Sequence, residues 1–295
     1  MKLNLPIIKD RTGWPWVSDS VPAVLVAADP EIEWPKVSII TPSYNQGEYI
    51  EETIRSVLFQ DYPNLEYIII DGGSSDNSLE IIKKYESWIS HWVSEPDRGQ
   101  THAINKGLKM AEGEILAWLN SDDTYLPGAI STAVSTLRKN PEVGFVYGSA
   151  AFVNEQGEKI REYQAKPLGR GYKRMRYWKG WRVPQPTLFF RRSLIDKFGY
   201  LDETYNYSLD YEWVIRISQS ENSICMNDTI ATYRRHQMSK TGDFIENRDK
   251  FYRETLRTNF LYAPPYKLTT WPLWLEWAIF RFIHFFANII PPCRR

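Results

Sequence analysis

Four short β-rich runs, each closed by a polar loop and separated by helix-period segments, constrain this chain more than any other feature. Val37 to Thr41 runs into Pro42-Ser43-Tyr44-Asn45-Gln46-Gly47, and Leu65 to Ile70 runs into Asp71-Gly72-Gly73-Ser74-Ser75-Asp76. His91-Trp92-Val93 is followed by Ser94-Glu95-Pro96-Asp97-Arg98-Gly99-Gln100, and Glu114 to Leu119 stops at Asn120-Ser121-Asp122-Asp123. Between them, Ile50, Ile54, Val57 and Leu58, then Leu79, Ile82 and Tyr85, then Ala103, Ile104, Gly107 and Leu108 mark one face of a helix each. The order βαβαβαβ predicts a parallel sheet with helices on both faces. Right-handed crossovers put all four loops on one edge, where the ligands of open α/β sheets collect. Tyr44, Asp71, Arg98 and Asp122 should therefore converge although they lie far apart in the chain.

Two readings of Asp122-Asp123 follow from the residues alone. Adjacent carboxylates at a strand end suit Mg²⁺ or Mn²⁺, and equally suit a solvated turn with Asp123 capping a helix that begins near Pro127. A dinucleotide site is excluded, because no G-x-G-x-x-G follows the first strand and no GxxxxGK[ST] occurs anywhere. Lys+Arg and Asp+Glu are both 36, so net charge gives no case for nucleic acid as a partner. The 12 Trp and 18 Tyr suit stacking on bases or sugars, but also cores and membrane interfaces. Cys225 and Cys293 form no metal spacing or disulfide framework, which favours a reducing compartment.

Taken together and in order, these loops resemble the family 2 glycosyltransferases, whose fold is GT-A. The likeness is carried by Val37 to Asn45, by Ile70 to Asp76, by Asn105-Lys106-Gly107 with Gly113-Glu114, by Asn120 to Asp123, and by Ser208-Leu209-Asp210-Tyr211-Glu212-Trp213. The resemblance implies a three-layer α/β/α sandwich with a mostly parallel sheet. It also implies an inverting transferase that moves a sugar from a nucleotide-sugar donor (UDP-, GDP- or dTDP-linked) to a saccharide or lipid-linked hydroxyl. The donor-binding set it implies is Thr41, Pro42, Tyr44, Asn45, Asp71, Arg98, Lys106, Ser121 and Asp122, with Tyr44 against the base. Asp122, Asp123 and His236 are the implied ligands of Mn²⁺ or Mg²⁺, and Asp210 is the implied catalytic base, with Glu212 as fallback. Two departures stand out: Asn120 replaces the first Asp of the Asp-x-Asp motif, so that a contact to ribose or metal is weakened or replaced by Asp123. Gly72 stands where many relatives carry a second Asp that could read the base.

The second half reads as a strand from Pro141 to Tyr147 and a hairpin from Ala150 to Tyr163 turning at Asn154-Glu155-Gln156-Gly157. Lys166 to Arg182 mixes Lys166, Arg170, Lys173, Arg174, Arg176, Lys179 and Arg182 with Tyr172, Tyr177, Trp178 and Trp181. That composition fits an acceptor-side lid over pyrophosphate or lipid headgroups, a single-stranded nucleic-acid surface, or a solvated loop. Gln185 to Phe190 reads as an extended segment, which the resemblance implies lines the acceptor pocket, and Asp210 opens a helix with Trp213, Val214 and Ile217 facing inward.

Three regions are expected: a Pro/Trp-rich arm over 1–35, a catalytic domain over 36–240 and a helical extension over 241–295. The catalytic domain divides into a donor half at 36–123 and an acceptor half at 124–240. Trp14 and Trp16 should pack on the catalytic domain. Trp271 to Ile290, with Arg281, His284 and Asn288 as a polar stripe, should form a helix that either lies on the cytoplasmic membrane face or docks on the catalytic domain. The expected role is in polysaccharide or glycoconjugate biosynthesis, by a cytoplasmic enzyme that is peripheral on the membrane. The rival readings are a nucleotidyltransferase and an inactive carbohydrate- or nucleotide-binding protein of the same fold.

Overall fold

The computed structural model describes residues 5–6, 8, 11–16, 33–169, 171–177, 180–237, 239–240 and 244–279. The predicted first half forms as four parallel strands: β1 (Val37–Ser43), β2 (Leu65–Asp71), β3 (His91–Ser94) and β4 (Ile115–Trp118). Alternation of side chains across the pleat explains why these runs carry apolar residues on both faces. Val37, Ile39, Tyr67, Ile69, Ile115 and Ala117 enter one core, whereas Ile40, Ile68, Ile70, Leu116 and Trp118 enter the other. The first core is covered by α1 (Ile50–Leu58), α2 (Ser78–Lys84) and α4 (Ala129–Lys139). The second is covered by α3 (Gln100–Met110), α5 (Ser193–Phe198) and α6 (Leu209–Ile217). Helix α3 lies so close to the sheet that a Cβ on Gly107 would stand 2.4 Å from Ile40 Cγ2.

Among the described residues the sheet has eight strands in the order β3-β2-β1-β4-β7-β5-β6, with β8 paired to β5. Strand β7 (Phe189–Arg191) runs antiparallel between β4 and β5. The expected strand at 141–147 and the first arm of the hairpin are one strand, β5 (Val143–Val153), which turns at Asn154–Gly157 into β6 (Lys159–Tyr163). The pattern looked broken because Gly148 gives β5 no side chain at mid-strand. A Cβ there would meet the Asp228 carbonyl at 2.6 Å. Strand β8 (Asn222–Arg234) is the longest and lies parallel to β5 with three register shifts.

Trp14 packs on Phe59 at 6.1 Å between ring centroids and donates its indole N–H to the Tyr125 carbonyl at 2.8 Å. Helix α7 (Phe244–Tyr262) and a helix over 271–279 follow the sheet. Among the described residues no helix is long and apolar enough to cross a membrane. Arg281, His284 and Asn288 of the expected polar stripe lie outside the described residues.

Candidate active site

A cleft of about 1330 Å³ opens at the carboxyl ends of β1, β2 and β4, and its far wall is formed by β6, by Tyr177 and residues 180–185, and by the start of α6. Pro42, Tyr44, Ser121, Asp122, Asp123 and Asp210 line it, as do Gly72, Gly73, Asp97, Gln185, Tyr163 and Trp181. Tyr44 stands at the mouth with 61% of its surface exposed.

The adjacent carboxylates of Asp122 and Asp123 have different jobs. Asp122 Oδ2 lies 3.0 Å from His236 Nε2, and the His236 ring is buried against Tyr49 at 4.6 Å. Asp123 is buried; its Oδ1 accepts the Arg234 N–H at 2.9 Å and its Oδ2 meets Asn120 Nδ2 at 3.4 Å. Burial, reinforced by the charge of Asp122, pushes the Asp123 carboxyl well above the usual carboxylate range. Asp123 therefore fastens β8 to the end of β4. It does not cap α4, which starts after Gly128.

Asn120 is held by Gln100, whose Nε2 donates to its Oδ1 at 2.7 Å, and itself donates to Gln185 Oε1 at 3.0 Å. Gln185 in turn donates to the Trp118 carbonyl at 2.9 Å. Arg234, also buried, donates to the carbonyls of Asp122, Asn154 and Glu155 and pairs with Glu52 at 2.8 Å. The backbone carrying Asp122 is thus fixed from the helix, the hairpin and the neighbouring strand.

Among the described residues no cluster of three His, Cys, Asp or Glu side chains is arranged to hold a metal ion. Asp122 with His236 nevertheless fits a divalent cation completed by substrate phosphates, since Mg²⁺ sites often use only one or two carboxylates plus phosphate oxygens.

Several expected donor residues are placed elsewhere. Thr41 is buried, its hydroxyl 3.1 Å from the Tyr67 hydroxyl inside the core. Asn45 links two loops: its N–H donates to Ser74 Oγ at 2.8 Å and its Oδ1 accepts the Ser75 N–H at 2.9 Å. Asp71 is buried and organises the same corner, accepting from the N–H groups of Gly73 and Ser74 and from the hydroxyls of Ser74 and Ser94. Arg98 pairs with Glu203 at 2.7 Å and Lys106 with Glu95, so glutamates neutralise the two cations expected at phosphate. None of these five lines the cleft.

Asp97, absent from the expected set, fills the gap left by Gly72. A Cβ on Gly72 would stand 2.6 Å from Asp97 Oδ2, while Asp97 Oδ1 accepts the Gly99 N–H at 2.7 Å. Its signal in the sequence was the pairing of a Gly-Gly corner after β2 with an acidic residue in the loop after β3.

On the far wall, Asp210 sits in the first turn of α6 and faces the cleft. Burial raises its carboxyl to about 6, against the pull of the Tyr211 and Asp210 N–H groups, with the charge of Glu254 adding to the rise. Glu254, on α7, accepts the N–H groups of Asn206, Tyr207 and Ser208 at 2.9, 2.9 and 2.8 Å and so holds the loop that delivers Asp210. Glu212 is buried, is bidentate to Arg216 at 2.9 and 2.8 Å, and accepts the Tyr262 hydroxyl at 3.0 Å. Glu212 does not reach the cleft. Tyr177 and Trp181 of the basic aromatic segment pack on Tyr211 at 5.3 and 4.8 Å. Arg176 pairs with Glu276, whereas Arg170, Trp178 and Lys179 lie outside the described residues.

Comparison with known proteins agrees with this architecture. A family model described as Glycosyl transferase family 2 matches residues 38–199, more than half of the chain. An uncharacterized glycosyltransferase of Mycobacterium tuberculosis is 31% identical over 184 residues, covering 62% of this chain and 68% of the relative. The Escherichia coli UDP-Glc:α-D-GlcNAc-diphosphoundecaprenol β-1,3-glucosyltransferase WfgD is 29% identical over 228 residues, 72% of this chain and 87% of the relative. Among solved structures, Staphylococcus aureus TarS 1–349 in complex with UDP-GlcNAc aligns with a TM-score of 0.59 at 20% identity, over 82% of this chain and 79% of that one. The mannosyltransferase PcManGT of Pyrobaculum calidifontis, in complex with GDP-Man and Mn²⁺, aligns with a TM-score of 0.57 at 21% identity, over 84% and 76%. At these identities the two structures speak for the GT-A fold.

Proposed function

The chain belongs to glycosyltransferase family 2, and from that premise we propose an inverting, divalent-metal-dependent transfer of a sugar from a nucleotide-diphosphate donor to an acceptor hydroxyl. The observation that carries this reading is Asp210, a carboxyl raised to about 6 by burial in the cleft that also receives Asp122 and His236. A base of that pKa is largely ionised at neutral pH yet binds a proton more readily than an ordinary aspartate. It takes the proton of the acceptor hydroxyl as that oxygen attacks the anomeric carbon and the nucleoside diphosphate departs from the other face.

Asp122 and His236 would hold Mn²⁺ or Mg²⁺, which when bound offsets the charge developing on the departing diphosphate. Asn120 and Gln185 keep the β4 end in place. Tyr44 and Asp97 flank the space beside Gly72 that the nucleobase would enter. An acceptor carboxylate there favours a base that presents a ring N–H, as uracil, thymine and guanine do. The UDP and GDP in the relatives' names support that choice.

WfgD's acceptor supports a lipid-linked saccharide as acceptor, and hence a place in polysaccharide or glycoconjugate assembly. Among the described residues, seven of the eleven exposed large apolar side chains fall within 260–279: Phe260, Leu261, Tyr266, Leu268, Trp271, Leu275 and Ile279. This patch is where a cytoplasmic enzyme would rest on the membrane that carries such an acceptor. Deleting residues 268–295 should release the protein from anionic vesicles and leave donor hydrolysis intact; unchanged vesicle binding would remove the membrane part of the reading.

The decisive experiment is a hydrolysis and transfer screen over UDP-, GDP- and dTDP-sugars with Mn²⁺, Mg²⁺ or a chelator. Activity with one nucleotide class, lost with the chelator, is expected. Binding without turnover for every donor and acceptor would instead favour an inactive binding protein.

A further inference from the structure

Beside the main cleft is a second hollow of about 300 Å³, lined by Arg161, Lys166, Arg182, Glu162, Tyr163 and Trp181, with Gln164 and Gly180 between them. It shares Arg161, Tyr163, Gly180 and Trp181 with the cleft. None of the β1, β2 or β4 loop residues that face the donor side borders it. The charge of Asp210 acts on Tyr163, so the hollow adjoins the proposed base rather than the metal end.

Its walls are fixed by backbone bonds. The Lys166 N–H donates to the Arg182 carbonyl at 3.1 Å, which sets these two residues side by side. The Tyr147 hydroxyl donates to the Lys166 carbonyl at 3.0 Å and accepts the Leu168 N–H at 2.9 Å. The Arg161 guanidinium lies 4.3 Å from the centroid of Phe152, whose ring stacks on Tyr163 at 4.9 Å.

The charges here are unbalanced. Among the described residues no carboxylate pairs with Arg161, Lys166 or Arg182; Arg182 spends one N–H on the Pro167 carbonyl at 3.2 Å. Glu162, the acidic residue of the hollow, is taken by Lys159. Several other cations of the domain are matched: Arg98 with Glu203, Lys106 with Glu95, Arg216 with Glu212 and Arg234 with Glu52. Three like charges held around one small volume repel each other, and an anion relieves that repulsion. Two guanidiniums and an ammonium match the oxygens of a phosphate chain.

We propose that this hollow seats a diphosphate carried by the acceptor, holding a sugar-diphosphate-lipid so that its hydroxyl meets Asp210. The proposal rests on the sugar-transfer reading and names its acceptor class. The donor's own diphosphate has a separate place, beside Asp122.

The test is calorimetric binding of two probes to the full chain: an N-acetylglucosamine α-diphosphate with a short alkyl chain, and the uncharged alkyl N-acetylglucosaminide. Saturating UDP and Mg²⁺ keep the donor subsite filled, so binding of the diphosphate there is separated from binding in the hollow. The charged probe should bind the native chain about 10- to 100-fold more tightly than its uncharged twin. Lys166→Gln with Arg182→Gln should erase that preference while leaving UDP affinity and the melting temperature unchanged. Equal binding of the two probes, no binding of the charged probe, or a preference that survives in the double variant would each overturn the proposal. Failure of the sugar-transfer reading has a different signature: no donor is turned over, while the charged-probe preference persists.

Discussion

Asp122 and Asp210 face the same cleft from opposite kinds of support. Asp122 follows the central strand β4, and its surroundings combine the β1–β4 pattern with two buried side chains from the far end of the sheet, Arg234 and His236. Asp210 hangs on the first turn of α6, and its position depends on Glu254 from the extension beyond the sheet. The two carboxylates also sit in different electrical settings: Asp122 leans on an imidazole, while Asp210 is raised by burial. The donor edge is pinned to the sheet by Arg234 and His236, 112 and 114 residues further on, whereas the loop that delivers Asp210 is held by Glu254, 46 residues beyond Ser208.

The sharpest way to break this contrast is Asp210→Asn. Transfer should fall by about 10²–10⁴-fold in single-turnover assays while nucleotide affinity stays nearly native. The same variant should be more stable at neutral pH. A carboxyl whose folded pKa is about 6 contributes its stability at low pH and loses it as pH rises through 6. The gain should therefore be about 1–2 kcal/mol in melts at pH 7.5, fading by pH 4. A variant that still transfers well would dissolve the assignment.

The opposite failure is expected at the donor edge. Asp122→Asn should weaken Mn²⁺-dependent nucleotide binding at least about tenfold, and His236→Ala should do so through the same carboxylate, both read by calorimetry with and without metal. Nucleotide affinity that ignores both changes would mean the cation is held by other groups.

Asp97→Asn probes the nucleobase rather than the metal. Discrimination between UDP or GDP and CDP should shrink by about tenfold, since one hydrogen bond to a charged acceptor is lost. A competition titration with the three nucleotides would measure it, and an unchanged ranking would remove Asp97 from base reading.

The smallest effect sharpens the comparison most. For the native enzyme, kcat/KM should rise with pH through an inflection near 6 and stay flat above it, because the base must be ionised. Glu254→Gln keeps an acceptor for the loop N–H groups but removes the charge that adds to the burial-driven rise of Asp210, so the inflection should move down by less than about one unit. An inflection that stays put would confine Glu254 to a purely mechanical role.

Much of this was legible in the sequence because it depends on neighbours in the chain. Strand, loop and helix alternate over residues 37–123, and that alternation alone places Tyr44 and Asp122 on one edge. What the sequence hides is partner choice across long separations. Asp123 looks like Asp122 until the Arg234 N–H, 111 residues away, claims it. Arg98 and Lys106 look like phosphate ligands until Glu203 and Glu95 are set beside them. Strand β8 is masked by Asn227-Asp228 in its middle, where its pairing with β5 slips register. The division of labour between Asp210 and Glu212 follows from helix geometry: two positions apart on α6, they face different ways, one toward the cleft and one toward Arg216.

Arg55 sets a limit on how this protein can be trimmed. Its guanidinium is buried and donates to the carbonyls of Pro6, Pro15 and Trp16 at 2.8, 3.2 and 2.9 Å, with the Tyr85 hydroxyl at 3.0 Å. A shortened chain starting near residue 36, just ahead of the region that matches the family model, would strip three of those four acceptors from an intact catalytic fold. The cation would then be left in an apolar setting with little to satisfy it. Anyone engineering a minimal transferase from this scaffold must therefore keep the first sixteen residues or replace Arg55 with an apolar side chain in the same step.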